Sequence, residues 1–355
     1  MTAKNTPRRG RVEDYRLTTG QGRYTDDMKV PGALWAVFVR SSYGAAVLNG
    51  IDVADALDMP GVVAVYTAAD LVATGVGPVQ TAMALEGPDG RKWLHTPRPL
   101  LAEGMARFIG EPVAMVIAET RMQALDAAEA VMADLEECDP VVTIADARRD
   151  GAPLVHAGWP GNLAAEWGRG DWDKAEAALA ATTHRVRLTG PISRVTAATM
   201  EPRNALARPE PGGRYGLYAS HQNPPQLRAA LAEGFNMDPA LIRVVGGDVG
   251  GAFGMKSGPT REEMLVFWAA MQLDRPVRWR ADRSPDPERR RRRYRVADTR
   301  PDRTPSCQRP FPSGSAGTGR VVSRVQVCNT DAGSLNIVVS RARSYYVESR
   351  PVLVT

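Results

Sequence analysis

Five glycines fall within the nine residues 246–254, in a stretch reading Gly-Gly-Asp-Val-Gly-Gly-Ala-Phe-Gly-Met-Lys that ends at Lys256. So many bare positions suit a chain that turns sharply or lies with its backbone against something bulky. The run 241–245 before it is short, apolar and β-branched and predicts a buried strand, while 262–273 after it has helical periodicity. Thr260 and Glu263 have the spacing of a capping box, which starts the helix there. Any fold for this chain must therefore accommodate a strand, a glycine loop and a helix in that order.

Two familiar uses of that order fail on spacing. A phosphate-cradling loop needs glycine immediately before Lys-Ser, but Met255 precedes Lys256 and Ser257. The dinucleotide fingerprint needs Gly-x-Gly-x-x-Gly, and Gly250, Gly251 and Gly254 do not supply it. Two readings stay open on the residues alone: a loop that touches a cofactor with its backbone, and a turn that only lets the chain bend.

At 355 residues and 43% hydrophobic content the chain can bury one large core or two moderate ones, and two domains are expected. No run approaches the roughly 18 apolar residues of a membrane span. Arg8 and Arg9 have no apolar stretch behind them, so no export signal is read and a cytoplasmic location is expected. Cys138, Cys307 and Cys328 are far apart and are expected to be free thiols, too few for a zinc site or an iron-sulfur cluster. The histidines His95, His156, His184 and His221 are equally scattered, and His221 beside Gln222 could line a pocket but is read first as a surface or structural histidine. The net charge of +5 is misleading, because residues 284–320 hold ten arginines against four acidic residues. The run 289–293 has Tyr294 as its single aromatic neighbour and lacks the interleaved rings of a single-strand binder, so no nucleic-acid partner is expected and a solvated segment is.

Strands are expected at 33–40, 62–67, 112–118, 185–189, 205–209 and 215–220. Helices are expected at 120–133, capped by Thr120 and Gln123, near 171–181, and near 225–235 with proline in the first turn.

Several segments in order resemble one family: 11–27, 60–70, Gly110-Glu-Pro-Val113, Pro160-Gly-Asn-Leu163, Met200-Glu-Pro-Arg203, Ser220-His-Gln-Asn223 and the glycine loop. Together they are similar to the molybdopterin-binding large subunits of the xanthine oxidase type, which include aldehyde oxidoreductases and aerobic carbon monoxide dehydrogenase. The likeness runs from about residue 9 to 283. It implies an α+β fold, with an N-terminal α/β hammerhead-type domain at 18–147, a linker at 148–162 and the first part of a molybdopterin-binding α+β domain at 163–283. It also implies molybdenum-molybdopterin as cofactor, placed beside Gln222, Gly250, Gly251, Ala252, Phe253 and Gly254. In that family the glutamine reaches the metal's apical oxygen, a role that suits an amide because it donates without carrying charge. Iron-sulfur and FAD centres are then expected on partner subunits. Purine-oxidising members carry glutamate after the loop lysine, and Ser257 stands here. The resemblance thus implies oxidative hydroxylation of an aldehyde, heteroaromatic or CO-type substrate.

The likeness stops near Arg283, where an Arg- and Pro-rich stretch at 284–320 and an unassigned tail at 321–355 follow. A shift of reading frame is one explanation of that composition. No position matches the family's late glutamate base, and Glu201, the carboxylate nearest a motif, is expected to fix the fold by pairing or capping. A catalytically inactive, truncated homologue that at most binds a subunit is the alternative function.

Overall fold

A computed structural model describes residues 10–79, 98–166, 172–181, 185–191 and 197–282, with the backbone of three short tail strands. Among the described residues twelve strands precede the tail. Six come early: β1 (Leu34–Arg40), β2 (Ala46–Asp52), β3 (Val62–Tyr66), β4 (Met105–Ala106), β5 (Pro112–Ala118) and β6 (Met132–Glu137). Six follow: β7 (Leu163–Glu166), β8 (Arg185–Pro191), β9 (Asn204–Glu210), β10 (Arg214–Ala219), β11 (Ile242–Val245) and β12 (Val277–Arg280).

One seven-stranded sheet, in the order β11-β10-β9-β12-β1-β5-β3, draws on both halves of the chain. β12 lies parallel to β1, with Leu34 opposite Val277, and antiparallel to β9, with Trp279 opposite Ala205. The sheet is therefore continuous across the segment 148–162. Strand β5 is buried along its whole length between β1 and β3, which explains why its sequence is an unbroken apolar run rather than an alternation. A smaller sheet has the order β4-β2-β6.

One face of the large sheet packs Leu34, Phe38, Ile117 and Trp279 against two helices, Pro224–Gly234 and Arg261–Leu273. The second helix is buried at every position from Glu262 to Ala270, as a helix at the centre of a core must be. Its Phe267 stacks on Phe235 with ring centres 5.8 Å apart, and its Trp268 meets Tyr66 edge-on at 4.7 Å while donating to Thr74 Oγ1 at 3.2 Å. Each of these two rings contributes roughly 2–3 kcal/mol by burial. The opposite face packs Val65, Ala114 and Val116 against Ala56 and the helix Arg121–Ala130.

Of the boundaries that differ from expectation, two have an identifiable cause. The helix expected to run from 120 to 133 ends at Ala130, and the chain turns at once into β6. Pairing with β2, where Leu48 faces Leu135, outweighs the helical propensity of that sequence. Residue 241 closes a short 3-10 turn, Pro239–Leu241, so the strand before the glycine loop begins one residue later. The arginine run 289–293 and Cys307 lie outside the described residues, as do His95 and His184. The unassigned tail forms backbone ladders over Val322–Cys328 and Ser334–Ser340, the second paired with β8. Among the described residues no helix is long and apolar enough to cross a membrane.

Candidate functional site

The site begins with topology. β10 and β11 are adjacent and parallel, Tyr218 opposite Val245, so their carboxyl ends open on the same edge of the sheet. Ser220-His-Gln-Asn223 leaves one end and the glycine loop leaves the other, which is where open α/β sheets place ligands. The two segments expected to share a site are thus brought together.

They meet at a defined contact. The Gly254 N–H donates to Gln222 Oε1 at 3.1 Å, and the Gln222 N–H donates to the Lys256 carbonyl at 2.7 Å. Because a backbone N–H can only donate, the contact fixes which end of the Gln222 amide is oxygen. Its NH2 end has no acceptor among the described residues. A short polar lattice holds the surroundings. Asn223 caps the helix Pro224–Gly234 by accepting from Gln226 N, and its own N–H donates to His221 Nδ1 at 3.0 Å. The ring proton therefore sits on Nε2, which donates to the Gly258 carbonyl at 3.2 Å. His221 is buried, burial pushes its pKa down, and its two backbone partners make it structural.

The five glycines do not share one reason. A Cβ at Gly247 would stand 2.7 Å from the Arg23 carbonyl, and one at Gly250 would stand 2.5 Å from the Glu201 Cβ. Those two are bare because the chain itself presses on them. Gly251 and Gly254 adopt φ of +95° and +82°, and Phe253 between them adopts +49°. Only at Gly254, of these four glycines, would an added Cβ meet open space, and the neighbouring Phe253 is 81% exposed. The exposed part of the loop is accordingly at 253–254, whereas Gly250 gives its N–H to Glu201 Oε2 at 2.7 Å. Ser257, in the position where purine oxidisers have glutamate, turns its hydroxyl back onto the Gly254 carbonyl at 2.8 Å.

Two anchors hold the loop, and the sequence did not disclose that either reaches it. Asp248 pairs with Arg16 and accepts from the Arg23 N–H at 2.6 Å, tying the loop to residues 16–23. The Arg16 hydrogen bond and the Arg23 amide hold its carboxyl down to about 2. A cleft of 530 Å³ lined by Arg16, Gln21, Gly22 and Arg23 lies along this strap. The second anchor is Glu201, which accepts from Ser220 Oγ at 2.5 Å and from Lys256 Nζ at 3.1 Å, while its other oxygen accepts from Asn204 Nδ2 at 3.1 Å. Glu201 fixes the fold, as its motif suggested. Beneath the loop Glu262 is buried between Arg40, at 2.8 Å, and Arg203, at 3.1 Å. Burial alone would raise its pKa, but the two guanidiniums hold it well below the usual carboxylate range. Cys138 is a free thiol, as expected. Among the described residues no cluster of three or more His, Cys, Asp or Glu could hold a metal ion directly.

Comparison with known proteins gives the class. Residues 19–139 match the a/b hammerhead domain of aldehyde oxidase and xanthine dehydrogenase, and residues 155–295 match the molybdopterin cofactor-binding domain. The chain belongs to the family of molybdopterin-binding large subunits of the xanthine oxidase type. It is 36% identical over 276 residues to the nicotine 6-hydroxylase large subunit of Paenarthrobacter nicotinovorans, a match that covers 77% of this chain and 33% of that protein. It is 32% identical over 289 residues to the carbon monoxide dehydrogenase large chain of Afipia carboxidovorans, covering 78% and 34%. Among solved structures, quinoline 2-oxidoreductase from Pseudomonas putida 86 aligns with a TM-score of 0.71 at 36% identity, over 77% of this chain and 34% of that one. The chain thus spans about a third of the length of the relatives it matches. A hammerhead domain followed by molybdopterin-binding sequence, in a mixed α/β setting, is the fold the sequence led us to expect.

Proposed function

We propose that this chain contributes the cofactor-facing corner of a molybdenum hydroxylase large subunit, with Gln222 and Gly250, Gly251, Ala252, Phe253 and Gly254 toward the molybdenum-molybdopterin group. The observation that carries this reading is the Gly254 N–H···Oε1 Gln222 contact, which holds the amide by its oxygen and leaves its NH2 end without an acceptor among the described residues. The residues fit the group: an uncharged donor and a glycine share one exposed edge, and among the described residues nothing lies within 4 Å of a Cβ placed on Gly254. When bound, the group accepts two electrons from the substrate carbon. Gln222 would donate a hydrogen bond toward it, the loop backbone would lie against it, and Ser257 would leave room where a carboxylate stands in purine oxidisers. Heteroaromatic, aldehyde or CO-type substrates suit that opening, and the relatives named for nicotine and quinoline favour a heteroaromatic one.

In this reading residues 18–147 form the hammerhead unit, 148–162 the linker and 163–283 the first part of the cofactor-binding unit. The complex is cytoplasmic, with iron-sulfur and FAD-binding subunits to carry electrons away. Metal analysis of the purified chain, alone and coexpressed with neighbouring subunits, tests it: molybdenum should copurify in the complex, and its absence from every preparation would refute the assignment. In an active complex Gln222→Ala should lower turnover by roughly 10²- to 10³-fold, by analogy with oxyanion donors, and unchanged turnover removes Gln222 from the site.

A further inference from the structure

We propose that Lys256 is the positioning residue of this corner: through Ser220 and Glu201 it sets where the Gly250 and Gly254 amides and the Gln222 side chain stand. The inference rests on the cofactor-facing reading above for its purpose, though not for its geometry. Lys256 is 1% exposed, and a buried ammonium is costly unless its donors are all taken. Here they are: Nζ donates to Ser220 Oγ at 2.7 Å, to the Glu201 carbonyl at 3.0 Å and to Glu201 Oε2 at 3.1 Å.

The partners explain what this cation does. Ser220 directly follows β10 and is two residues from Gln222. Glu201 precedes β9 and grips the loop twice, since its Oε2 accepts from the Gly250 N–H and its own N–H donates to the Gly250 carbonyl at 3.1 Å. The Lys256 main chain completes the circuit by accepting from the Gln222 N–H at 2.7 Å. A shift at Lys256 therefore moves Gly250 from one side and Gln222 from the other, and Gly254 follows because its N–H is held by Gln222. An ion pair that served only the core would not have its donors and acceptors divided among the segments that converge here. Three rotatable donors on one point charge suit the task, because they bind a carbonyl, a carboxylate and a hydroxyl at once.

Single-amide hydrogen exchange on the full chain tests the inference. Ser220→Ala, the mild variant, should speed exchange at Gln222, Gly250 and Gly254 about tenfold or more, with Val37 and Val116 in the β1–β5 ladder unchanged within about twofold. Lys256→Met should do more at the same three amides. If a folded Ser220→Ala chain exchanges at its original rate there, or if the ladder speeds up equally, Lys256 serves general stability and the proposal falls. A second measurement, pterin retained per polypeptide in the cofactor-bearing complex, separates this from the functional reading. Faster exchange with unchanged pterin retention leaves the positioning role standing and sinks the cofactor site, whereas faster exchange with pterin loss upholds both.

Discussion

Replacing Glu262 by alanine removes the buried carboxylate on which the Arg40 and Arg203 guanidiniums converge at 2.8 and 3.1 Å. Removing one partner of a buried ionic group costs about 3–5 kcal/mol, and urea denaturation of the variant should show a loss of that size. Its neighbour Glu263 behaves in the opposite way. Burial pushes its carboxyl up to about 7, although Thr260 and Arg203 pull it down. A carboxyl raised above its unfolded value binds more protons when folded, so its contribution is complete below about pH 4.5 and is lost as pH rises toward 7. Glu263→Gln keeps an acceptor for the Thr260 N–H and removes the titration, so the fall in stability between pH 5 and 7 should flatten in the variant. Neither role was legible in the sequence. Thr260 and Glu263 were recognisable as a capping box, which the structure contains, with Thr260 N–H to Glu263 Oε2 at 2.9 Å. Nothing in a linear pattern discloses that the box lies under Arg203.

At the scale of elements, the strand, glycine loop and helix were readable because each carries a local signal: β-branching, bare positions and a cap. The loop's anchors were not, because Arg16 and Asp248 are 232 residues apart and Glu201 lies 55 residues before Lys256. The same limit explains the helix read too far past Ala130, since only the β2 partner reveals that 132–137 is a strand. The Gln222 and Gly254 segments could be joined by resemblance, and the parallel β10–β11 pair supplies the physical reason they meet. The strap on Asp248 has its own consequence. With its pKa held near 2, its pairing is intact above about pH 4 and fades as pH falls through 2. Asp248→Asn should loosen the segment before Thr25 at neutral pH, read as faster tryptic cleavage at Arg16 and Arg23 with the core helices still protected.

Across the whole molecule, the two units read from the sequence share a sheet, because β12 is wedged between β9 and β1. Cleavage within the exposed stretch around Asp150 should therefore leave two fragments that coelute in size-exclusion chromatography, held by the β1–β12 pairing and the core beneath it. Fragments that separate without denaturant would contradict that architecture. The wedge also orders events at the ribosome. The inner edge of β1 gains its neighbour only when residue 277 has been made, some 240 residues after β1 itself. Until then a nascent chain displays an unsatisfied, largely apolar strand border, the kind of surface that invites pairing with a stranger. Closure over so long a span is slow. Production of this protein should thus depend on holding chaperones and on modest synthesis rates more than its well-filled interior suggests.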